Sequence, residues 1–361
     1  MIIFAPTIRQ LATAASLAAL GTLTVATAAT AQERLRIVTT LPTYAAIARE
    51  VAGDRAEIQA IARGDQDPHF VNPRPSFAAA IQQADVFVST GLDLELWVPA
   101  LLDRASNARV VEGAPGHVAA YVGVTLLEVP ENVSRAGGDV HVFGNPHVHT
   151  DPINAVIVAG NIVTALQRVD PDHAETYAAN LADFRSRLMH RLFGDELVEM
   201  LGEETLFDLA RGYRFWEFAR GAEVGGQPLT AYLGGWMAQA APFRDQRMVC
   251  FHKNWAYFSA RFRVPCAEFV EPRPGIPPSP GHVRDVIAFI QREHIPVLLA
   301  ANYFSRQQVE RVASRAGIRA VIVPEHVEGA DGVHDYFALV DRWVTELAQA
   351  FGASRSPHPD R

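Results

Sequence analysis

Three histidines stand where a metal site is easily built. His69 ends the run Gly64-Asp65-Gln66-Asp67-Pro68-His69, His147 ends Asn145-Pro146-His147, and His252 directly follows the apolar run Met248-Val249-Cys250-Phe251. Neutral imidazole is a common zinc ligand, and three of them with a carboxylate or a water complete a four-coordinate site. Taken singly, each reads as a surface or hydrogen-bonded histidine. Their shared placement is what points to a metal. His69 and His252 follow strand-like runs, and His147 precedes a long helical stretch. In open α/β sheets, ligands gather beyond the carboxyl ends of the strands.

The elements that must position them alternate in type. Residues 35–40 form an apolar, β-branched run of strand character, 44–51 have helical spacing, and 56–62 read as a second strand. A helix over 77–84, a strand over 86–89 and a helix over 94–102 continue the series. A second series follows, with strands expected at 248–251, 267–270, 297–300 and 320–323 and helices at 255–262, 282–292, 307–316 and 336–351. Strands alternating with helices imply βαβ units and parallel sheets. Between the two series, Asp151-Pro152 opens a helical stretch to about residue 195, with a joint near Asp170-Pro171; Asp suits the N-cap and Pro the first turn. The expected architecture is therefore two Rossmann-like α/β lobes, 32–150 and 196–351, joined by a long connecting helix over 151–195. Residues 197–241 resist division into elements, and 352–361 read as a disordered tail.

Composition excludes several classes. The chain has 361 residues, 13 His but only 2 Cys, and a net charge of -8. An acidic balance argues against nucleic acid as a partner. Two cysteines cannot build a disulfide framework or a cysteine-rich zinc module, so a metal site here is imidazole and carboxylate in character. Residues 1–31 read as a signal peptide: Arg9, an apolar stretch over 11–26, and a small-x-small cleavage site at Ala29-Thr30-Ala31. Export to the periplasm is expected, with no lipid-anchor cysteine near the segment. That compartment permits a disulfide between Cys250 and Cys266, which flank one βα unit. Two buried thiols, or a thiolate ligand on the face that Cys250 shares with His252, are the alternatives.

Four ordered motifs carry a resemblance. Asp67-Pro68-His69-Phe70 with Gly91-Leu92-Asp93-Leu94-Glu95-Leu96-Trp97, then Asn145-Pro146-His147-Val148-His149-Thr150-Asp151-Pro152, then Phe251-His252-Lys253-Asn254-Trp255, and then Glu271-Pro272 with Pro278-Ser279-Pro280 resemble the zinc/manganese solute-binding proteins of bacterial ABC uptake transporters. The similarity runs from about residue 34 to 350. It implies that His69, His147 and His252 are metal ligands. It also implies a fourth, often an acid about a dozen residues before a Tyr; Glu325 stands in that relation to Tyr336, with Asp331, Asp335, His326 or a water as alternatives. Manganese-selective members tend to carry a carboxylate at the third position, where this chain has His252, so Zn2+ is expected as the transported ligand ahead of Mn2+. The family often has a histidine-rich loop before the second ligand, which gives His141 and His149 an accessory metal role.

The function expected from the resemblance is a periplasmic zinc receptor that delivers its ion to an inner-membrane ABC permease. It is expected to be a monomer, with a metallochaperone as a further candidate partner. The alternatives are a receptor for a metal chelate, a periplasmic zinc chaperone or store, and a zinc hydrolase. The hydrolase is disfavoured because no H-E-x-x-H helix is present and the ligands are far apart in sequence. No enzymatic activity is expected.

Overall fold

The computed structural model describes residues 1–2, 34–130, 141–273 and 275–354. The expected signal segment from residue 3 on, its cleavage region near Ala31, and the expected tail from residue 355 on lie outside the described residues. The described residues from 34 to 354 group as one compact unit.

The first series folds as β1 (Leu35–Thr39), α1 (Pro42–Ala52), β2 (Ala56–Ala60), α2 (Pro75–Gln82), β3 (Val86–Ser89), α3 (Val98–Ala105) and β4 (His117–Ala119). Its sheet has the order β2-β1-β3-β4, and every pair is parallel. Ile37 lies level with Ile58 on one side and Val86 on the other. The two central strands are apolar because helices cover both of their faces. Proline opens α1 and α2, where its missing N–H would have had no helical partner.

The stretch expected as one connecting helix is two. α4 (Pro152–Val169) is capped by the Asp151 carboxylate, which accepts from the Ile153 N–H at 2.9 Å. A 3₁₀ turn at Pro171–His173 then reverses the chain. α5 (Ala174–Phe193) runs back beside it, so that Val156, Ile157 and Gly160 face Ala178, Leu181, Ala182 and Arg185. Pro171 explains the break, because it lacks the N–H that a continuous helix needs and disfavours helical geometry at Asp170. α5 touches both lobes: Asn180 donates to the Val51 carbonyl of α1 at 3.0 Å, and Phe184 packs edge-on against Phe337.

The stretch 197–241, which periodicity left undivided, falls within α6 (Asp195–Leu201), α7 (Glu203–Arg211), α8 (Phe215–Gly221), a two-stranded hairpin of β5 (Glu223–Val224) and β6 (Gln227–Pro228), and α9 (Gly235–Gln239). The second series follows as β7 (Met248–Cys250), α10 (Ala256–Phe262), β8 (Cys266–Phe269), α11 (Pro280–Arg292), β9 (Val297–Ala301), α12 (Arg306–Ala316), β10 (Arg319–Val323) and α13 (Tyr336–Ser354). Its parallel sheet has the order β10-β9-β7-β8. α13 extends through residues 352–354, which were expected to be tail; Ala350 and Phe351 still pack in the core and carry the last turn on. Cys250 and Cys266 are joined by a disulfide with their Cα atoms 5.4 Å apart, tying β7 to β8.

One continuous hydrophobic core runs through β1, β3, α1, α4, α5, β7 and α13, while a second fills the outer face of the C-terminal sheet under α11 and α12. The lobes are thus fused along the first core. Their backbones approach closely at Gly64: a Cβ there would stand 2.3 Å from the Glu328 carbonyl carbon and 2.4 Å from the Val327 oxygen. Gly64→Ala must push the 324–335 loop outward, and overpacking of this kind costs about 1–3 kcal/mol. Urea unfolding of the purified variant should show a loss in that range, with the loop carrying Glu325 displaced.

Candidate metal centre

Each histidine is positioned by its own short piece of chain. His69 lies in a 3₁₀ turn, Pro68–Phe70, just after the β2 end of the first sheet. Asp67 fixes both its backbone and its ring: Oδ1 accepts from the His69 N–H at 2.9 Å and lies 2.7 Å from His69 Nδ1. Trp97 anchors the turn by donating Nε1 to the Pro68 carbonyl at 2.8 Å. His147 precedes the turn Val148–Thr150. Its N–H donates to Asn145 Oδ1 at 3.0 Å, and its carbonyl accepts from the Thr150 hydroxyl at 2.9 Å. His252 follows β7 and faces the end of β8, where the Glu271 carbonyl lies 2.8 Å from Nδ1. The disulfide from Cys250, two residues before His252, ties the end of β7 to the start of β8.

The structure brings His69, His147 and His252 to one place. Ring centroids are 5.3 Å apart for His69 and His147, 6.0 Å for His69 and His252, and 6.4 Å for His147 and His252. All three follow one rule of orientation. Nδ1 of each faces an acceptor: Asp67 for His69, Glu325 Oε1 at 2.9 Å for His147, and the Glu271 carbonyl for His252. An acceptor on Nδ1 places the proton there and leaves Nε2 as the lone-pair nitrogen. Nε2 of His147 is buried with no hydrogen-bond partner among the described residues, an arrangement that calls for a ligand.

His141 joins the same group. Its Nε2 lies 3.1 Å from His69 Nε2, and ligand nitrogens of His69, His141 and His147 all fall within 4.8 Å of one another. His149 does not. It sits on the far side of His147, fully buried, with Nε2 3.2 Å from Glu325 Oε1 and its ring 4.7 Å from that of His326. Glu325 is fully buried; Oε1 accepts from His147, and Oε2 accepts from Asn254 Nδ2 at 2.7 Å and from the Tyr303 hydroxyl. Its loop is pinned by α13, where Trp343 donates to the Pro324 carbonyl at 2.6 Å and Tyr336 to the His149 carbonyl at 2.9 Å. Asp331 and Asp335, the other acids considered, lie on the exposed far part of that loop.

Sequence reasoning missed the groups that orient the rings. Asp67 was readable, since an Asp two residues before the ligand can cap the turn and reach the ring. The Glu271 carbonyl and the contribution of α7 and α8 were not. Asp151 receives the Arg261 guanidinium in a two-pronged pair, Nε to Oδ1 and Nη2 to Oδ2, each at 2.8 Å, and Arg261 is 2% exposed. Tyr213 donates to Asp151 Oδ2 at 2.9 Å and lies under the guanidinium, while Ala210 offers its carbonyl to Nη2. Tyr257, one turn before Arg261, donates to the Asn145 carbonyl at 2.6 Å. The segment carrying His147 is thus bolted to α10, the helix that follows His252.

Burial sets the protonation of the cluster. Burial, reinforced by the imidazoles of His147 and His69, lowers His141 to about 2; burial lowers His252 to about 4; and burial lowers His147 despite the pull of Glu325. Burial opposes ionisation of Glu325, but His147 foremost among the converging donors holds it well below the usual carboxylate range. The rings of His141, His147 and His252 are therefore neutral at pH 7.

The fold and the cluster first define a class: a two-lobed α/β binding protein with a metal-ligand cluster where its lobes meet. The family description "zinc-uptake complex component A, periplasmic" matches residues 37–191 and 227–350, and the chain belongs to that family. The high-affinity zinc uptake system protein ZnuA of Paracoccus denitrificans is 25% identical across 88% of this chain and 92% of its own length. The iron-binding protein YfeA of Yersinia pestis is 25% identical across 89% and 87%. A crystal structure of zinc-bound ZnuA with residues 138–173 deleted shares the fold at a TM-score of 0.64, with 20% identity, covering 91% of this chain and all of that one.

Two predictions follow from this geometry. Arg261→Met leaves the Asp151 carboxylate buried and unpaired, which costs about 3–5 kcal/mol; urea unfolding should register that loss, and Tyr213→Phe a smaller one. The second concerns acid. An unfolded chain protonates its histidines from about pH 6.5 downward, while in the folded, metal-free protein His252 stays neutral to about 4 and His141 to about 2. The unfolded state then binds more protons, so stability falls as pH drops below about 6.5, by up to about 1.4 kcal/mol per pH unit for each such histidine. Denaturation midpoints of the stripped protein at pH 7.5, 6 and 5 should decline in that order.

Proposed function

We propose that this protein is an exported receptor that binds Zn2+ where its lobes meet and hands it to an inner-membrane ABC permease. The carrying observation is the common orientation of His69, His147 and His252: three buried or nearly buried rings, each with Nδ1 on an acceptor and Nε2 left for a metal. Kinship supports the reading, since ZnuA of Paracoccus denitrificans is named for zinc uptake. Other relatives are named for manganese, among them PsaA of Streptococcus pneumoniae, 32% identical over 43% of this chain. The donor set here favours zinc, because imidazole suits zinc and oxygen-rich sites suit manganese. In this reading residues 1–31 are the export signal, cleaved near Ala31, and the mature protein works as a monomer, with a metallochaperone as a candidate donor of the ion.

The burial of the rings argues against an organic chelate as ligand, since His147 and His252 are only 1% and 3% exposed. A hydrolase needs a carboxylate free to act as general base on metal-bound water. Asp67 is tied to His69, and Glu325 to His147, Asn254 and Tyr303.

Stripped protein should take up one zinc tightly and bind Mn2+ far more weakly in competition. His69→Ala, His147→Ala and His252→Ala should each weaken zinc by more than the about 10–100-fold typical of losing an outer-shell partner, measured by competition with a chromogenic chelator. Zinc binding that survives all three substitutions unchanged would sink the assignment.

A further inference from the structure

Three imidazoles leave one position of a tetrahedral ion to fill, and two side chains compete for it. Glu325 is the acid that the family pattern points to. Its geometry here places it elsewhere. Oε1 accepts from His147 Nδ1, and Oε2 is engaged by Asn254 and Tyr303. Nδ1 and Nε2 of one imidazole point to divergent edges of the ring. A carboxylate held on Nδ1 therefore stands behind the ring, out of reach of an ion held on Nε2.

His141 stands in front. Its Nε2 is 3.1 Å from His69 Nε2, and the ligand nitrogens of His69, His141 and His147 are mutually within 4.8 Å. Two nitrogens bound to one tetrahedral zinc at 2.0–2.1 Å are about 3.3 Å apart, so the pair already has the separation that an ion would impose. The His141 ring lies 5.2 Å from His69 and 6.2 Å from His147, and it is 7% exposed. His69 Nδ1 faces Asp67, so its Nε2 presents a lone pair to His141.

We propose that His141 is the fourth ligand. The ion is then held by His69, His141, His147 and His252, an all-imidazole cage, and Glu325 acts on it only through His147. This rests on the zinc-receptor reading above and sharpens its selectivity. Four neutral nitrogens and no direct oxygen suit borderline cations such as Zn2+, Co2+ and Ni2+ and disfavour Mn2+.

Cobalt reports the coordination shell through its visible absorption, so Co2+-loaded and Zn2+-loaded proteins are compared for the parent, His141→Ala and Glu325→Gln. Circular dichroism of the stripped variants confirms that each folds. Glu325→Gln should keep the parental cobalt spectrum and a four-nitrogen zinc shell in X-ray absorption, with affinity down about 10–100-fold as for an outer partner. His141→Ala should shift the cobalt spectrum, lower the nitrogen count by one, and recover the parental spectrum when free imidazole is added. A parental spectrum in His141→Ala, or an altered shell in Glu325→Gln, overturns the proposal. Failure of the parent protein to bind zinc, or indifference of binding to His69→Ala, overturns the receptor reading instead.

Discussion

The Asp151 carboxylate has two tasks that cannot be separated. It caps α4 by accepting from the Ile153 N–H, and it receives the Arg261 guanidinium from α10 with Tyr213 closing over the pair. The first task sets the turn that displays His147. The second fixes that turn against the helix that begins just after His252. A buried ion pair adds little net stability over a well-packed apolar substitute, but breaking it is expensive. Its value here is geometric: it admits one register between the linker and the C-terminal lobe. Tyr257 to Asn145 repeats the connection one turn earlier, and α13 clamps the Glu325 loop from the other side.

With the backbone so fixed, ring orientation falls to the groups on Nδ1. They come from three places: the β2–α2 loop, the β10–α13 loop and the end of β8. Two of the three carry a negative charge. A divalent ion on four neutral nitrogens would face Asp67 and Glu325 one imidazole away, so its two positive charges would be balanced without direct contact. Carboxylates in that position raise the basicity of the nitrogen opposite. In the proposed four-nitrogen site they would also remain clear of the ion, leaving the inner shell soft enough for zinc.

The strands and most helices were legible because each has a strong period and a turn signal at its ends. β3 was placed at its observed residues, and His69 and His252 fell beyond strand ends as the α/β rule requires. What escaped has specific causes. β4 has only three residues, too few for alternation to register. The reversal at Asp170-Pro171 was visible as a joint but not as a hairpin, because the direction after a break depends on packing between α4 and α5. Residues 195–239 form short helices whose buried sides face the linker and α10 rather than a sheet, so no period long enough to read arises. The two matched family segments flank residues 192–226, and that stretch supplies Tyr213 and the Ala210 carbonyl. His141 stood in a histidine cluster where spacing alone could not tell ligand from neighbour; that distinction depends on where the ring of His69 ends.

The shared core constrains how an ion can enter or leave. Separating the lobes would expose the apolar faces of α1, α5 and α13 together and break the Asp151–Arg261 pair. Loops are easier to move. His69 is the least enclosed of the three strand- and helix-anchored rings, and its neighbour Phe70 is 55% exposed while packing against Gly275. A Cβ at Gly275 would stand 2.5 Å from the Phe70 ring, so the β8–α11 loop lies directly over the His69 turn. His141 reaches the cluster from a different loop, and Phe143 close by is also 55% exposed. His69 and His141, whose Nε2 atoms lie 3.1 Å apart, are thus carried by loops flanked by exposed aromatic rings. His147 and His252 are held by segments tied into the Asp151–Arg261 pair, α10 and the end of β8.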